Sequence, residues 1–249
     1  MTTARLHLIL GPTGIGKTRR AVAAAIDSAG PVIALDRMQC HPEIGIGSGR
    51  PTADELAGTR RLYLQDRPLS HGPISAGPAV DRLVHMQRHL LGGGVTALVL
   101  EGGSISLLHE LLGRTDWREG WKVSVTVCVE GSARRYEEGV TARVEEMVGY
   151  GGPAGARTLQ DELADLWDDP AARKQAYEVI GYKEAIDLCE QRSFLPQELT
   201  GPHGRLWRYE LSRRIRDGHL TYSRQQRAAL AEALPALHHL AQGVQLCES

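Results

Sequence analysis

The stretch Gly11-Pro-Thr-Gly-Ile-Gly-Lys-Thr18 decides the fold of this 249-residue chain. A predicted strand, RLHLIL at 5–10, comes before it, and an alanine-rich predicted helix from Thr18 to Ser28 follows. The pattern G-x4-G-K-[ST] between a strand and a helix is a phosphate-binding loop, because its backbone N–H groups and the helix N-terminus surround an anion. Lys17 would add a mobile positive charge and Thr18 an oxygen for Mg²⁺. The loop predicts binding of a di- or triphosphate without specifying which one.

Strands and helices alternate from this loop to about residue 130. The predicted strands are 5–10, 31–36, 95–100 and 122–129, and the predicted helices between them are 18–28, 75–91 and 105–112. Thr52 is a good helix N-cap, with Glu55 completing a capping box. Alternation of this kind is typical of the α/β class. We predict a P-loop NTPase-like parallel sheet with flanking helices over residues 1–130.

The second half of the chain has a different pattern. No strong strand signal follows Gly131, and helices are predicted at about 132–148, 156–167, 170–191 and 204–242. We therefore predict a C-terminal helical subdomain, residues 131–249, that closes over the substrate site.

Composition excludes several classes of protein. The 29 Lys and Arg residues balance 30 Asp and Glu, a formal net charge of -1, so a nucleic-acid partner is not expected. No stretch reaches the roughly 18–20 apolar residues of a membrane span, and the first ten residues are too short for a signal peptide. The four cysteines are widely spaced and predict reduced thiols. We expect a cytoplasmic monomer.

Asp36 ends the second predicted strand, at the sheet edge where open α/β sheets bind their ligands. A carboxylate at this position could hold Mg²⁺, accept a proton from a nucleophile, or cap the following loop. The position of Asp36 alone does not choose between these roles.

Several motifs occur in an order that resembles the bacterial adenylate dimethylallyltransferases, and more loosely the tRNA dimethylallyltransferases. They are GPTGIGKT (11–18), LDRMQC (35–40), GSGRPT (47–52), TRRLYLQDRP (59–68), EGGSISLL (101–108), TARVEEM (141–147), Gly181-Tyr182 and SRQQ (223–226). The resemblance spans nearly the whole chain. It implies transfer of a dimethylallyl group from dimethylallyl diphosphate to the N6 amine of a free adenine nucleotide, AMP first, in cytokinin-type biosynthesis.

The resemblance also implies how the donor is bound. Its diphosphate would contact residues of the phosphate loop and of the helical half: Thr13, Gly14, Gly16, Lys17, Thr18, Arg143, His219, Tyr222 and Arg224. Mg²⁺ is the implied cofactor, held by Thr18. Lys17 and Arg143 would neutralise the leaving diphosphate, an effect typically worth several kcal/mol per group in a dry site.

The remaining predicted site residues would bind the acceptor and the prenyl group. Asp36 would orient the exocyclic amine and act as general base. Ser48 and Arg37 would complete the acceptor site. Ile180 would line an apolar pocket for the prenyl group between the two halves.

The sequence departs from the adenylate enzymes in two places. Those enzymes have Asp where this chain has Ile180, and a Tyr before a His where this chain has His219 before Tyr222. Residues three apart share a helix face, so both can still face the diphosphate. Alternatively, His219 is an exposed helical residue and Tyr222 packs in the core.

Three other functions stay open at this point. A tRNA dimethylallyltransferase is the first, although such enzymes are usually longer, with an inserted helical domain. A nucleotide kinase would use ATP in the same loop. A P-loop binding module without catalysis is the third. The sequence does not choose among AMP, ADP, ATP, adenosine and another amine as acceptor, or decide whether a hydroxylated donor is accepted.

Overall fold

A computed structural model describes residues 4–150, 155–200 and 204–248. Its sheet has six parallel strands in the order β3-β2-β4-β1-β5-β6. The strands are β1 Ala4–Leu10, β2 Val32–Leu35, β3 Arg61–Tyr63, β4 Ala97–Gly102, β5 Trp121–Val129 and β6 Val244–Glu248. The central strand β1 aligns its Leu8 with Leu100 of β4 and Val125 of β5. The α/β parallel sheet is confirmed.

Helices cover both faces of this sheet. They are α1 Lys17–Ser28, α2 Ala53–Leu56, α3 Ala76–Gly92, α4 Ile105–Leu112, α5 Ala133–Met147, α6 Leu159–Leu166, α7 Pro170–Ala176, α8 Tyr182–Arg192, α9 Pro196–Thr200 and α10 Arg205–Leu240. Side chains of a strand alternate between faces, so Leu8 of β1 joins one core and Ile9 the other. The Ile9 core contains α1 and the helices of the second half. The Leu8 core contains α3, α4 and the end of α10.

The capping box predicted at Thr52 begins α2. The Thr52 N–H donates to Glu55 Oε2 at 2.8 Å, and the Glu55 N–H donates to Thr52 Oγ1 at 3.2 Å. The start of α2 is therefore fixed by two local hydrogen bonds that the sequence encodes.

Two predictions for the second half were wrong. The helix expected at 170–191 is two helices, because Gly181 has φ +101°, a conformation that an L side chain rarely adopts. A strand also follows the helices: Val244–Glu248 pairs in parallel with β5, with Val244 opposite Val125. This edge strand is held by backbone hydrogen bonds, is largely exposed and has only five residues, so its sequence gives a weak strand signal.

Helix α10 joins the two cores. Leu211 and Ile215 in its first half pack with the other C-terminal helices, whereas Leu230 and Leu237 pack beneath the sheet with α3 and α4. One 36-residue helix thus fixes the helical half against the edge of the sheet. The predicted division of the chain at residue 130 stays a prediction.

No helix in the described ranges combines the length and apolar character needed to cross a membrane. The four cysteine thiols, Cys40, Cys128, Cys189 and Cys247, are free.

Candidate active site

A cavity of about 660 Å³ opens at the carboxyl ends of β1, β2 and β4. Both halves of the chain line it, from the phosphate loop and the ends of the strands on one side to α5, residues 178–180 and α10 on the other. The predicted site residues that line it are Thr13, Gly14, Gly16, Lys17, Thr18, Asp36, Arg37, Ser48, Arg143, Ile180, His219 and Tyr222. All predicted site residues except Arg224 therefore meet at one cavity.

The phosphate loop needs glycine at two of its positions. Gly14 has φ +73° and Gly16 has φ +83°, and a Cβ on Gly14 would lie 2.8 Å from Val140 Cγ2 of α5. The Lys17 ammonium donates to the Pro12 carbonyl at 2.7 Å. Burial lowers the pKa of Lys17, while the carboxylates of Glu101 and Asp36 oppose this shift. The loop therefore has the left-handed turns and the partly buried cation of an anion cradle.

Two side chains from outside the loop hold Thr13. The Tyr136 hydroxyl of α5 donates to the Thr13 carbonyl at 2.7 Å. The Thr13 N–H donates to Gln226 Oε1 of α10 at 2.8 Å, and Gln226 Nε2 donates to the Gly103 carbonyl at 2.7 Å. We did not predict Tyr136 or Gln226 as site residues, although Gln226 ends the SRQQ motif.

Asp36 is partly buried at the end of β2. Its Oδ1 accepts the backbone N–H groups of Met38 at 2.8 Å and Gln39 at 3.4 Å. Burial raises the pKa of the Asp36 carboxyl, and Glu101 adds to this rise; the two N–H groups and Lys17 oppose it. A carboxylate with a raised pKa is a stronger base than an exposed one.

A buried ion pair that sequence analysis missed lies beside Asp36. Arg61 of β3 donates to Glu101 of β4 at 2.6 Å, with side chains 1% and 6% exposed. Arg61 also donates to Gln39 Oε1 at 3.1 Å. Both charged residues line the cavity. They fall inside the motifs TRRLYLQDRP and EGGSISLL, which were the available signal.

Residues 47–49 of the 45–50 loop also line the cavity. Gln39 Nε2 donates to the carbonyls of Ser48 at 3.3 Å and Gly49 at 3.4 Å. The Ser48 hydroxyl donates to the Gly45 carbonyl at 3.3 Å, which leaves its oxygen able to accept a hydrogen bond. Arg37 lines the same cavity and donates to the Ile74 carbonyl at 3.0 Å.

The helical half contributes a cation and two polar donors. Arg143 of α5 pairs with Glu146 at 2.8 Å and lies 3.5 Å from Glu55. Burial lowers the pKa of His219 to about 4, so its imidazole is neutral at neutral pH and one ring N–H can donate. Burial also raises the pKa of Tyr222, which keeps its hydroxyl protonated.

Arg224 is the predicted residue that the structure does not bring to the cavity. His219, Tyr222 and Gln226 are three and four positions apart on α10 and share the face that lines the cavity. Arg224 lies two positions from Tyr222, which places it on the opposite face, and it is exposed.

An apolar wall lines part of the cavity. It is formed by Met38, Val140, Val144, Met147, Val179 and Ile180. Ile180 is partly buried and packs against the core of the helical half. The cavity therefore combines an anion cradle, a basic carboxylate and an apolar surface, which defines a phosphate-loop protein with room for a hydrocarbon group.

Comparison with known proteins agrees with this class. The family model described as isopentenyl transferase matches residues 4–239. The chain is 40% identical over 187 residues to the adenylate dimethylallyltransferase of Agrobacterium tumefaciens strain Ach5, 75% of each chain. It is 35% identical over 232 residues to that of Allorhizobium ampelinum strain S4, 93% of this chain and 95% of the relative. The chain belongs to the isopentenyl transferase family.

Solved structures share the fold. A tRNA isopentenylpyrophosphate transferase from Bacillus halodurans superposes with a TM-score of 0.70 at 18% identity, covering 98% of this chain and 90% of that one. A second, from Staphylococcus epidermidis, gives 0.69 at 17% identity, covering 98% and 93%. At such identities the likeness concerns the fold alone. We expected tRNA-modifying enzymes to be longer than this chain, but this chain covers 90% and 93% of these two structures, so the difference in length is small.

The phosphate-loop fold implies a divalent metal ion. The described residues contain no cluster of three or more His, Cys, Asp or Glu side chains placed to hold one. Thr18 and Glu101 both line the cavity, and their side chains offer the oxygen atoms that hard divalent cations prefer. This set fits an ion bound jointly by the protein and a diphosphate.

Proposed function

We propose that this protein transfers a dimethylallyl group from dimethylallyl diphosphate to the N6 amine of free AMP and releases diphosphate. The observation that carries the proposal is the placement of Asp36 and the phosphate loop at one cavity with an apolar wall. The relatives named adenylate dimethylallyltransferase, 35–40% identical over most of the chain, support it.

The phosphate loop would stabilise the leaving group. As the bond between the allylic carbon and the diphosphate oxygen breaks, negative charge grows on the diphosphate. Lys17, Arg143 and the loop N–H groups would bind that charge more strongly in the transition state than in the ground state. Neutral His219 and Tyr222 would donate hydrogen bonds to the same oxygens. Mg²⁺ held by Thr18 would neutralise part of this charge.

Asp36 would act on the acceptor. The N6 nitrogen forms the new bond to carbon, and its surplus proton passes to the Asp36 carboxylate. The N–H groups of Met38 and Gln39 fix the Asp36 carboxyl in place, so the base is oriented before the acceptor binds. Ser48 and Arg37, on the same side of the cavity, would hold the adenine nucleotide.

The apolar wall would hold the prenyl group. Val144, Val179 and Ile180 offer a surface without hydrogen-bonding groups beside the phosphate loop. Such a surface favours a hydrocarbon chain, and it would shield the allylic cation from water. We further propose that the protein acts in the cytoplasm as a monomer.

The experiment is product identification. Purified protein with Mg²⁺ is incubated with dimethylallyl diphosphate and, separately, AMP, ADP, ATP or adenosine, and products are read by mass spectrometry. The proposal expects one dimethylallyl group on AMP and no phosphoryl transfer from ATP. Phosphoryl transfer without prenylation would instead support a nucleotide kinase.

A further inference from the structure

A second set of side chains, outside the cavity, holds the loop of residues 45–50. The carboxylate of Glu162, on α6, accepts the backbone N–H of Ile46 at 2.9 Å and that of Gly47 at 3.3 Å. Glu162 also accepts a short hydrogen bond from the hydroxyl of Tyr182, on α8. Glu162 and Tyr182 are buried, and neither lines the cavity.

Tyr182 also packs directly on the loop. A Cβ on Gly47 would lie 2.1 Å from the Tyr182 ring, so the ring rests on the Gly47 backbone. The Gly47 N–H lies 3.3 Å from the Tyr182 hydroxyl oxygen as well. Ring, hydroxyl and carboxylate thus fix the two residues that precede Ser48 in the chain.

The chemistry of this contact favours a rigid loop. Burial raises the pKa of Tyr182 well above its ordinary value, which keeps the phenol protonated and donating to the carboxylate. Hydrogen bonds to an ionised group are stronger than those between neutral groups. On the other side of the loop, Gln39 holds the carbonyls of Ser48 and Gly49. The loop is therefore held from both halves of the protein.

We propose that Glu162 and Tyr182 are positioning residues for the acceptor, acting through the 45–50 loop and the Ser48 that it presents. This inference rests on the proposed function, because that function places the acceptor against Ser48. On the donor side, a tyrosine holds the phosphate loop in a comparable way. There the Tyr136 hydroxyl donates to the Thr13 carbonyl. The two tyrosines therefore hold two different loops that line one cavity.

The test is a crossed pair of variants, Tyr182→Phe and Tyr136→Phe, each of which removes one hydroxyl and keeps the ring. KM is measured for AMP and for dimethylallyl diphosphate, with melting temperature as a control for folding. We expect Tyr182→Phe to raise KM for AMP about 10- to 150-fold, the usual range for a lost hydrogen bond to a charged group. KM for the donor should stay within about twofold, and Tyr136→Phe should give the reverse pattern.

A graded pair at the carboxylate gives a second readout. Glu162→Gln keeps an oxygen for the Ile46 N–H and should retain more AMP affinity than Glu162→Ala. Binding of AMP by calorimetry measures this without turnover. Equal changes of both KM values in Tyr182→Phe, or a lower melting temperature with both KM values unchanged, would overturn the positioning role. Failure of the wild-type protein to prenylate AMP would instead reject the proposed function.

Discussion

The side chain of Gln226 accepts a hydrogen bond from the backbone N–H of Thr13, 213 positions earlier in the chain, at 2.8 Å. The same amide donates to the Gly103 carbonyl, so it links the phosphate loop to the end of β4. A residue of the last long helix thereby sets the shape of the first loop. The helical half thus takes part in forming the phosphate loop's geometry.

Replacing Gln226 tests this link. Gln226→Ala leaves the Thr13 N–H and the Gly103 carbonyl without their partner, and KM for dimethylallyl diphosphate should rise about tenfold. Gln225→Ala is the matched control, because Gln225 is the exposed neighbour on the same helix. Equal donor KM values in the two variants would show that the link does not shape the donor site.

Arg143 should contribute to the chemical step. It lines the cavity from α5, and its positive charge would stabilise the leaving diphosphate. We expect Arg143→Ala to lower kcat/KM for the donor about 100-fold. Arg134→Ala removes an arginine of the same helix whose side chain is 89% exposed, and should leave kcat/KM unchanged. Wild-type kinetics in Arg143→Ala would place this residue outside the reaction.

Asp36 should be needed for turnover and dispensable for donor binding. Asn at this position keeps an oxygen for the Met38 N–H but cannot take the amine proton, a role worth about 10²–10⁴-fold. We expect Asp36→Asn to lose that factor in kcat while binding of dimethylallyl diphosphate by calorimetry stays near that of the wild type. The exposed Asp27→Asn is the control. An Asp36→Asn enzyme retaining a few tenths of its activity would refute the general-base role.

The pH profile gives a second readout of the same group. Asp36 accepts a proton only when ionised, so activity should fall as pH drops through its raised pKa. Glu101 contributes to that rise, so Glu101→Gln, which also leaves the positive charge of Arg61 uncompensated, should move the acid limb to lower pH. The melting temperature of this variant controls for the lost buried pair. An acid limb that stays in place would assign it to another group.

The choice of donor should follow from Ile180. A donor with a hydroxyl on its prenyl group, 4-hydroxy-3-methylbut-2-enyl diphosphate, would bury that hydroxyl against an apolar side chain. The expected loss is about 5- to 150-fold in kcat/KM relative to dimethylallyl diphosphate. Ile180→Asp should shift the ratio toward the hydroxylated donor. Equal values for the two donors in the wild-type protein would mean that Tyr222 or a water satisfies the hydroxyl.

Local patterns made much of the fold predictable. The phosphate loop, the Thr52 capping box and the apolar strands around Leu8 and Leu100 each carry their own sequence signal. β6 was missed because an exposed edge strand needs only backbone pairing. The prediction of one helix through Gly181 failed because this residue has φ +101°, and a Cβ there would lie 2.7 Å from Leu159 Cδ1.

The candidate site also has one part that the sequence predicts and one part that only the structure shows. Lys17, Asp36 and Ser48 lie in recognisable motifs, and all three line the cavity. The side chains that hold those motifs in place, such as Glu162 and Gln226, act between residues more than a hundred positions apart. No local pattern reports such contacts, so they became visible only in the folded chain.

The most direct test of the central claim is a competition between acceptors. The protein with Mg²⁺ receives dimethylallyl diphosphate labelled in its prenyl group, together with AMP and bulk unmodified tRNA in one reaction. The label is then measured in the nucleotide and polynucleotide fractions. We predict that nearly all label enters AMP. Label recovered mainly in tRNA would contradict the proposed acceptor and identify a tRNA-modifying enzyme.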